Sequence, residues 1–184
     1  GGAVIVTSLE RARDLRKHPA RVLGTGQAQS YYHMGHLAGG VGLPPGHRHD
    51  FNLTSTVQKV AARDAFGEAG LTPADIDVAQ IYDSFTITAL MQFEDLGFCA
   101  KGEGGAFVEG GRIELGGELP CNTHGGLLSF AHPGMPGGIF HLIEAVRQVR
   151  HDCGPRQVPD ASVALATSVS AVASNHSICI LGRD

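Results

Sequence analysis

The sequence has few cysteines, and they are not arranged as a metal or redox centre. Its four cysteines contain no C-x-x-C spacing, which argues against both a zinc site and a thioredoxin-like centre. No apolar run approaches the roughly 18–20 residues that a membrane-spanning helix requires. The first residues also lack the charged segment followed by an apolar one that marks a signal peptide. These absences predict a cytoplasmic protein whose thiols are reduced.

The chain also lacks any run of positive charge. Its 14 lysines and arginines are scattered among 18 acidic residues, for a net charge of −4, so a nucleic-acid partner is not expected. Its 184 residues, 42% of them hydrophobic, suffice for one good core. Because the chain begins without methionine, directly in strand-like residues, we expect it to be a piece of a longer protein.

Short β-branched runs alternate with segments of helical periodicity. Strands are predicted at residues 3–8, 21–29, 76–81, 162–167 and 177–181, and helices at 9–17, 53–69, 84–98 and 139–150. The glycine-rich residues 102–117 predict a loop or hairpin. No helix lies between the last two strands, so they are expected to pair antiparallel at the end of a mixed sheet. The alternation indicates an α/β layered domain.

Capping residues and apolar stripes support the predicted helices. Ser8 is expected to cap the first helix, and Thr54 or Ser55 the second, which Gly70 should end. The helix over 139–150 is expected to bury an apolar stripe, formed by Ile139, Leu142, Ile143 and Val146.

The loop from residue 120 to 138 is rich in glycine, proline and histidine. Pro133 fixes the backbone after His132, and Gly134 permits an unusual turn, so the imidazole is expected to be held rigidly. A histidine there is able to move a proton near neutral pH. A buried histidine bonded to the backbone is the structural alternative.

The same loop contains Asn122-Thr123-His124-Gly125-Gly126, which places polar side chains beside glycines. This composition suits contact with a carbonyl or an amide, because glycine lets a ligand approach the backbone. A purely structural turn explains these residues equally well.

A second candidate segment is Tyr82-Asp83-Ser84-Phe85, at the end of a predicted strand and just before a helix. In open α/β sheets ligands bind at such junctions. The structural alternative is that Asp83 or Ser84 merely caps the following helix.

A group of histidines precedes these segments. His33, His36, His47 and His49 lie near one another in sequence, so a metal site is imaginable. The region is rich in glycine and proline, however, and no helix holds the ligands together. We expect a solvated loop and no metal.

Taken together, these motifs resemble the C-terminal half of thiolase-superfamily proteins, over nearly the whole chain. Tyr82-Asp83-Ser84-Phe85 matches the family segment that reads Asn-Glu-Ala-Phe or His-Asp-Cys-Phe. Residues 121–138 match its Asn-x-x-Gly-Gly and Gly-His-Pro-x-Gly motifs, with Ala131 and Met135 where the second motif has glycines. The resemblance is to the branch of sterol-carrier-protein-type thiolases and lipid-transfer proteins.

The resemblance implies a thiolase-like α/β fold, in which two similar halves pack as a five-layered α-β-α-β-α sandwich. Residues 1–20 would end the N-terminal domain, and residues 21–184 would form the C-terminal domain with its mixed sheet. It also implies a homodimer that acts on coenzyme A thioesters, with no covalently bound cofactor. The family's nucleophilic cysteine comes from the N-terminal half.

The resemblance also assigns roles to residues of this chain. It implies that His132 polarises the thioester oxygen, and that Tyr82 replaces the asparagine or histidine that binds the same oxygen. The expected catalytic residues are Tyr82, Asp83 and His132, and the expected substrate-binding residues are Asn122, His124, Gly125 and Gly134.

The departures from the family pattern argue against ordinary thiolysis. Ser84 stands where the sterol-carrier type has its acid/base cysteine, and residues 168–174 lack the cysteine and glycines of the family's other base. A serine cannot replace a thiolate base unaided, because its pKa is far above the cysteine value of about 8.5.

Tyr82 suggests a different reaction within the superfamily. A phenol whose pKa, ordinarily about 10, is lowered by His132 or by backbone N–H groups would accept the proton of a β-hydroxyl and begin a retro-aldol cleavage. The resemblance extends to lipid-transfer-protein-like aldolases of steroid degradation. These convert a 17-hydroxy steroid acyl-CoA into a 17-ketosteroid and propionyl-CoA, beside a partner with an OB-fold and a zinc ribbon.

We therefore expect a retro-aldolase. A thiolase whose base comes from another position, and a non-catalytic protein that binds lipid or acyl-CoA, are the alternatives.

Overall fold

A four-stranded mixed sheet organises the chain. The computed structural model describes residues 1–30, 54–134, 136–170 and 173–183. Strands β1 (Ala20–Gln29), β2 (Val78–Gln80), β3 (Val163–Ser170) and β4 (Asn175–Arg183) lie in the order β1-β4-β3-β2. Strand β4 is antiparallel to β1 and β3, whereas β2 is parallel to β3. The predicted mixed sheet and the antiparallel pairing of the last two strands are confirmed.

Helices connect and cover these strands. The described α-helices are α1 (Leu9–Ala12), α2 (Gln58–Ala69), α3 (Thr86–Asp95), α4 (Gly104–Val108), α5 (Gly126–Ser129) and α6 (Gly137–Val149), with short 3-10 turns at Pro73–Asp75, Glu109–Gly111 and Gly154–Arg156. Within the described ranges, no helix has both the length and the apolar character needed to cross a membrane.

Each face of the sheet is covered by helices, because successive residues of a strand point to opposite faces. Leu165 of β3 packs with Ala65 of α2 and Phe93 of α3. Its neighbours in sequence, Ala164 and Ala166, pack on the other face with residues of α6. The result is a helix–sheet–helix arrangement of three layers.

Strand β1 approaches α2 so closely that Gly26 has no room for a side chain. A Cβ at Gly26 would lie 1.9 Å from the carbonyl oxygen of Ala61. Relief of that clash requires the strand to move away from the helix, so Gly26→Ala should lower the free energy of unfolding by about 1–3 kcal/mol. Chemical denaturation measures this loss.

Gly67→Ala is the matched control for this prediction. Gly67 lies within α2, and a Cβ there would have no atom within 4 Å. Since alanine is the better helix former, this variant should be at least as stable as the parent. Equal destabilisation by the two variants would contradict the close approach at Gly26.

The predicted strand over residues 3–8 is wrong. These residues form neither helix nor strand, and the side chains of Ile5 and Val6 are 92% and 85% exposed. The chain passes instead over α6, where a Cβ at Gly2 would lie 2.6 Å from Ile143. Ser8 does cap α1, since its hydroxyl accepts a hydrogen bond from the Arg11 backbone N–H.

Two other local predictions differ from the structure, and one is confirmed. The hydroxyls of Ser55 and Thr56 bind the carboxylate of Asp95, and Val57 precedes α2 without a side-chain cap. Gly70 ends this helix in the left-handed conformation, as predicted. The glycine-rich residues 102–117, predicted as a loop or hairpin, form α4 and a 3-10 turn followed by irregular turns.

The buried face of α6 is also not the predicted one. The apolar stripe at 139, 142, 143 and 146 is only half-buried. Polar residues occupy much of the buried face, which consists of Gly137, His141, Glu144, Ala145, Gln148 and Val149. Hydrophobic periodicity misled here, because this helix packs on a polar site as well as on the sheet.

Candidate active site

Tyr82 lies two residues beyond the carboxyl end of β2, with its side chain only 8% exposed. Its backbone N–H donates to the Thr167 hydroxyl at 2.9 Å, and its carbonyl accepts from the Gln92 side-chain amide at 2.6 Å. The phenol lies beside the first turn of α6, where a Cβ at Gly137 would be 3.5 Å from the phenol oxygen. Tyr82 is therefore fixed where parallel strands of α/β sheets present ligands.

The segment around Asn122 is attached to this end of β2. The Asn122 carboxamide accepts from the Ile81 backbone N–H at 2.8 Å and donates to the Ile81 carbonyl at 2.9 Å. The residue itself has a left-handed φ of 47°, which asparagine tolerates better than most residues. Both ends of its amide are thus engaged. This geometry favours a role in holding the loop, and the predicted contact with substrate stays a prediction.

Asp83 holds the next part of the same loop. Its carboxylate accepts hydrogen bonds from the backbone N–H groups of Leu127 and Leu128, at 2.7 and 3.4 Å. At Gly126 a Cβ would lie 2.2 Å from the carboxylate, so only glycine fits. The alternative that Asp83 or Ser84 caps the following helix is wrong. Phe85 is the N-cap of α3, and the Thr88 hydroxyl accepts from its N–H.

His132 faces Tyr82 from the second half of the loop. The two rings meet edge to face, with centroids 6.1 Å apart, and the imidazole is exposed. The following turn needs the left-handed φ of 76° at Gly134, where a Cβ would have open space around it. Gly134 is therefore required by the backbone of the turn. Because the His132 imidazole is exposed, the alternative of a buried histidine bonded to the backbone is wrong.

Two further histidines lie behind Tyr82. His124 is half-buried, with Nδ1 3.1 Å from the Gln80 side-chain oxygen. His141 of α6 is fully buried, and its ring centroid is 5.9 Å from that of Tyr82 and 5.2 Å from that of His124. Its Nε2 is 3.6 Å from the Asp83 carboxylate, too long for a hydrogen bond. Because burial keeps this imidazole neutral, the contact is not an ion pair.

Burial sets the protonation of these groups. Burial, and secondarily the charge of Asp83, raise the pKa of the Tyr82 phenol above its ordinary value of 10.0. The expectation of a lowered pKa is wrong in this structure, because burial disfavours the phenolate and the carboxylate repels it. Burial also lowers the pKa of His141 to about 4 and moves the pKa of His124 in the same direction.

A buried polar network supports the loop from the side of α6. The Thr123 hydroxyl donates to Glu144 at 2.9 Å and accepts from the Gln148 amide at 2.9 Å. Arg156 donates two hydrogen bonds to the same carboxylate, each 3.2 Å long. Burial alone would raise the pKa of Glu144, but the hydrogen bonds from Arg156 and Thr123 lower it. Glu144 is therefore a fixed anion that anchors the loop.

Neither a metal site nor a reactive thiol is found in the described part of the chain. No group of three or more potential ligands has metal-binding geometry there, and the predicted solvated loop of His33, His36, His47 and His49 lies outside the described residues. Burial raises the pKa of the Cys153 thiol to about 12 and that of Cys179 to about 11.

The structure brings together most of the predicted site residues. Tyr82, Asp83, His132, Asn122, His124 and Gly125 all lie at the end of β2 or in the loop attached to it. Sequence reasoning missed His141, Gln92 and Thr167. The polar spacing of His141, Glu144 and Gln148 along α6 was visible, but such a stripe ordinarily indicates a solvent-facing surface.

Known relatives align with most or all of this chain. A steroid side-chain-cleaving aldolase of Thermomonospora curvata is 39% identical over 186 residues, which cover 100% of this chain and 44% of the relative. A 17-hydroxy-3-oxo-4-pregnene-20-carboxyl-CoA lyase of Mycobacterium tuberculosis is 40% identical over 156 residues, or 80% of this chain and 36% of the relative. The chain thus spans less than half the length of these relatives.

A solved structure and a family description agree with these sequence relatives. The structure described as an Ltp2-ChsH2(DUF35) aldolase superposes with a TM-score of 0.79 and 38% identity, covering 96% of this chain and 42% of that one. Residues 46–183 match the family described as thiolase C-terminal domain-like. The chain therefore belongs to the thiolase C-terminal domain-like family, and its predicted thiolase-like fold is confirmed.

Proposed function

We propose that the protein carrying this chain cleaves a carbon–carbon bond of a β-hydroxy acyl-CoA thioester by a retro-aldol reaction. The observation that carries the proposal is the pairing of Tyr82 with His132 at the end of β2. The two proton-carrying groups lie edge to face, on a loop that Asp83 and Asn122 hold in place. Relatives named for aldolase and lyase activity support the same reaction class.

The reaction requires one proton acceptor and one stabilised anion. The β-hydroxyl loses its proton and becomes a carbonyl as the bond between the α and β carbons breaks. The electron pair passes to the α carbon as a thioester enolate, which is then protonated. Removal of the hydroxyl proton and stabilisation of the enolate oxygen are therefore the tasks that the protein must perform.

The protonation of the site divides these tasks between the two residues. Because the pKa of Tyr82 is raised, the phenol is protonated at neutral pH and serves as the hydrogen-bond donor to the enolate oxygen. The exposed imidazole of His132 has a free path to substrate and takes the hydroxyl proton. This assignment exchanges the roles expected from the sequence, in which Tyr82 accepts the hydroxyl proton and His132 polarises the thioester oxygen.

The proposed substrate is a 17-hydroxy steroid acyl-CoA, which would yield a 17-ketosteroid and propionyl-CoA. Support comes from the lyase named above. Two exposed apolar side chains near Asp83 also support it: Phe85, two residues further along the chain, and Leu128, whose backbone N–H donates to Asp83. We also propose that the partner is a protein with an OB-fold and a zinc ribbon. The aldolase structure described with a DUF35 component supports a partner subunit. A homodimer and a cytoplasmic location complete the proposal.

Product analysis tests this function. The intact protein, with its partner where one co-purifies, is incubated with the steroid β-hydroxy acyl-CoA in the absence of free coenzyme A. Formation of equal amounts of ketosteroid and propionyl-CoA is expected. Coenzyme A-dependent cleavage of a 3-ketoacyl-CoA without aldol cleavage would instead identify a thiolase. Tight binding of acyl-CoA without turnover would identify a binding protein, and either result overturns the proposal.

A further inference from the structure

The peptide groups on both sides of Tyr82 are held by buried side chains from two other elements. Thr167, on β3, accepts from the Tyr82 N–H, and Gln92, on α3, donates to the Tyr82 carbonyl. The side chains of Thr167 and Gln92 are each only 2% exposed. The Thr167 hydroxyl also donates to the Gln92 side-chain oxygen at 2.7 Å, so the two holding groups are bonded to each other.

Every polar atom of this pair is engaged. The Gln92 amide nitrogen donates to the Thr88 carbonyl as well as to Tyr82, and the Gln92 oxygen accepts a second bond from the fully buried Gln58. Buried polar side chains weaken a fold unless they are satisfied. Here Tyr82 supplies one partner to each of them, its N–H to Thr167 and its carbonyl to Gln92.

Thr167 and Gln92 bind the backbone of Tyr82 just beyond the point where the pairing of β2 with β3 ends. Parallel pairing of β2 with β3 stops at Gln80 and Ala166. Thr167 is the next residue of β3, and it meets the chain beyond β2 with its side chain rather than its backbone. This exchange lets the chain leave the plane of the sheet while Tyr82 remains anchored. The backbone of Tyr82, from which its phenol projects, is therefore held by Thr167 and Gln92.

We propose that Thr167 and Gln92 are positioning residues that orient Tyr82 for the aldol reaction. The inference rests on the proposed function for its kinetic consequence, but not for its structural one. A displacement of about 1 Å in a reacting group costs on the order of 10²-fold in rate. Neither side chain is placed to touch substrate, so both act through Tyr82.

The test compares two substitutions at one site. Thr167→Val keeps the shape of the side chain but removes its hydroxyl, whereas Thr167→Ser keeps the hydroxyl. For the valine variant we expect kcat to fall by about 10- to 100-fold with little change in KM, and for the serine variant near-parental kcat. Gln92→Met, which leaves the bond between Tyr82 and Thr167, gives the same result in weaker form if the valine variant does not fold.

Thr56→Val is the matched control for the loss of a buried threonine hydroxyl. Thr56 is also buried, and its hydroxyl donates to Asp95 and accepts from the Gln58 N–H. This variant should lose stability but keep kcat. A valine variant at 167 that folds and retains parental kcat would overturn the proposal, as would equal losses of kcat at 56 and 167.

A spectroscopic readout separates this inference from the proposed function. The tyrosinate absorbance of Tyr82 is followed with pH and obtained by subtracting the Tyr82→Phe titration. In Thr167→Val the phenol should titrate closer to its ordinary pKa of 10.0 than in the parent, while Thr167→Ser should match the parent. If the parent cleaves no substrate but this shift is seen, the function fails and the positioning stands. An unchanged titration overturns the positioning.

Discussion

Tyr82→Phe is expected to lower kcat for aldol cleavage by about 10²- to 10³-fold, the usual loss when one hydrogen-bond donor to a developing oxyanion is removed. Phenylalanine fills the same buried space beside Gly137 and His141, so the fold should be retained. Only the hydrogen bond to the enolate oxygen is lost. Steady-state kinetics on the intact protein measure the change, with unfolding midpoints as the control for structure. Undiminished cleavage by the phenylalanine variant would remove Tyr82 from the mechanism.

The pH dependence of kcat distinguishes a donor from a base at the same residue. The pKa of Tyr82 is raised above 10.0, so the protonated phenol persists beyond that pH. If the phenol is the donor, its titration should cause no change in rate through the neutral range, and the rate should fall only above about pH 10. If the phenolate were the base, the rate would rise steadily to the same pH. If the rate rises in this way in the parent but not in Tyr82→Phe, Tyr82 is the base and not the donor.

Acid is expected to unfold the protein through its buried histidines. Burial lowers the pKa of His141 and of His176 from 6.5 to about 4. The unfolded chain therefore binds protons at these sites before the folded protein does. The stability that these neutral histidines contribute is fully present above pH 6.5 and is lost as the pH falls towards 4. Each histidine should contribute a loss of roughly 2–3 kcal/mol by about pH 4.5.

Urea denaturation at neutral pH and at about pH 4.5 measures this loss. His124, whose pKa is also lowered by burial, adds to it in the same direction. The depressed pKa of Glu144 costs stability only as the pH falls below its ordinary value of 4.5, so this pH interval isolates the histidines. His176 is far from Tyr82 in sequence. His176→Gln should reduce the stability lost between neutral pH and pH 4.5 by the roughly 2–3 kcal/mol expected for one histidine. An unchanged pH dependence in both His176→Gln and His141→Gln would contradict the prediction.

Local sequence was sufficient to predict several of the structural features around the candidate site. The strand before Tyr82, the left-handed end of α2 at Gly70 and the rigid turn after His132 each depend on residues within a few positions. Hydrophobic runs and glycine positions report such features directly. The juxtaposition of Tyr82 and His132, 50 residues apart, came from the family resemblance rather than from any pattern in the chain.

The partners of these residues were beyond the reach of local patterns. Asp83 looked like a cap for the helix beside it, yet it binds backbone groups 44 and 45 residues away. His141 lay on what hydrophobic periodicity marks as the outer side of a helix, and tertiary packing buried it. The run at 3–8 has strand composition but stays exposed and forms neither helix nor strand. Long-range packing decided the first two cases.

The attachment of Asn122 has a consequence for association between molecules. Strand β2 is the last in the sheet, and the outer edge of such a strand can pair with a strand of another chain. Here Pro120 and Asn122 bind the backbone of Ala79 on that side, each at 3.0 Å, and the Asn122 carboxamide binds Ile81. The loop that carries His124 thus also shields this edge from intermolecular pairing. A ligand that displaced the loop would open the sheet to extension and aggregation.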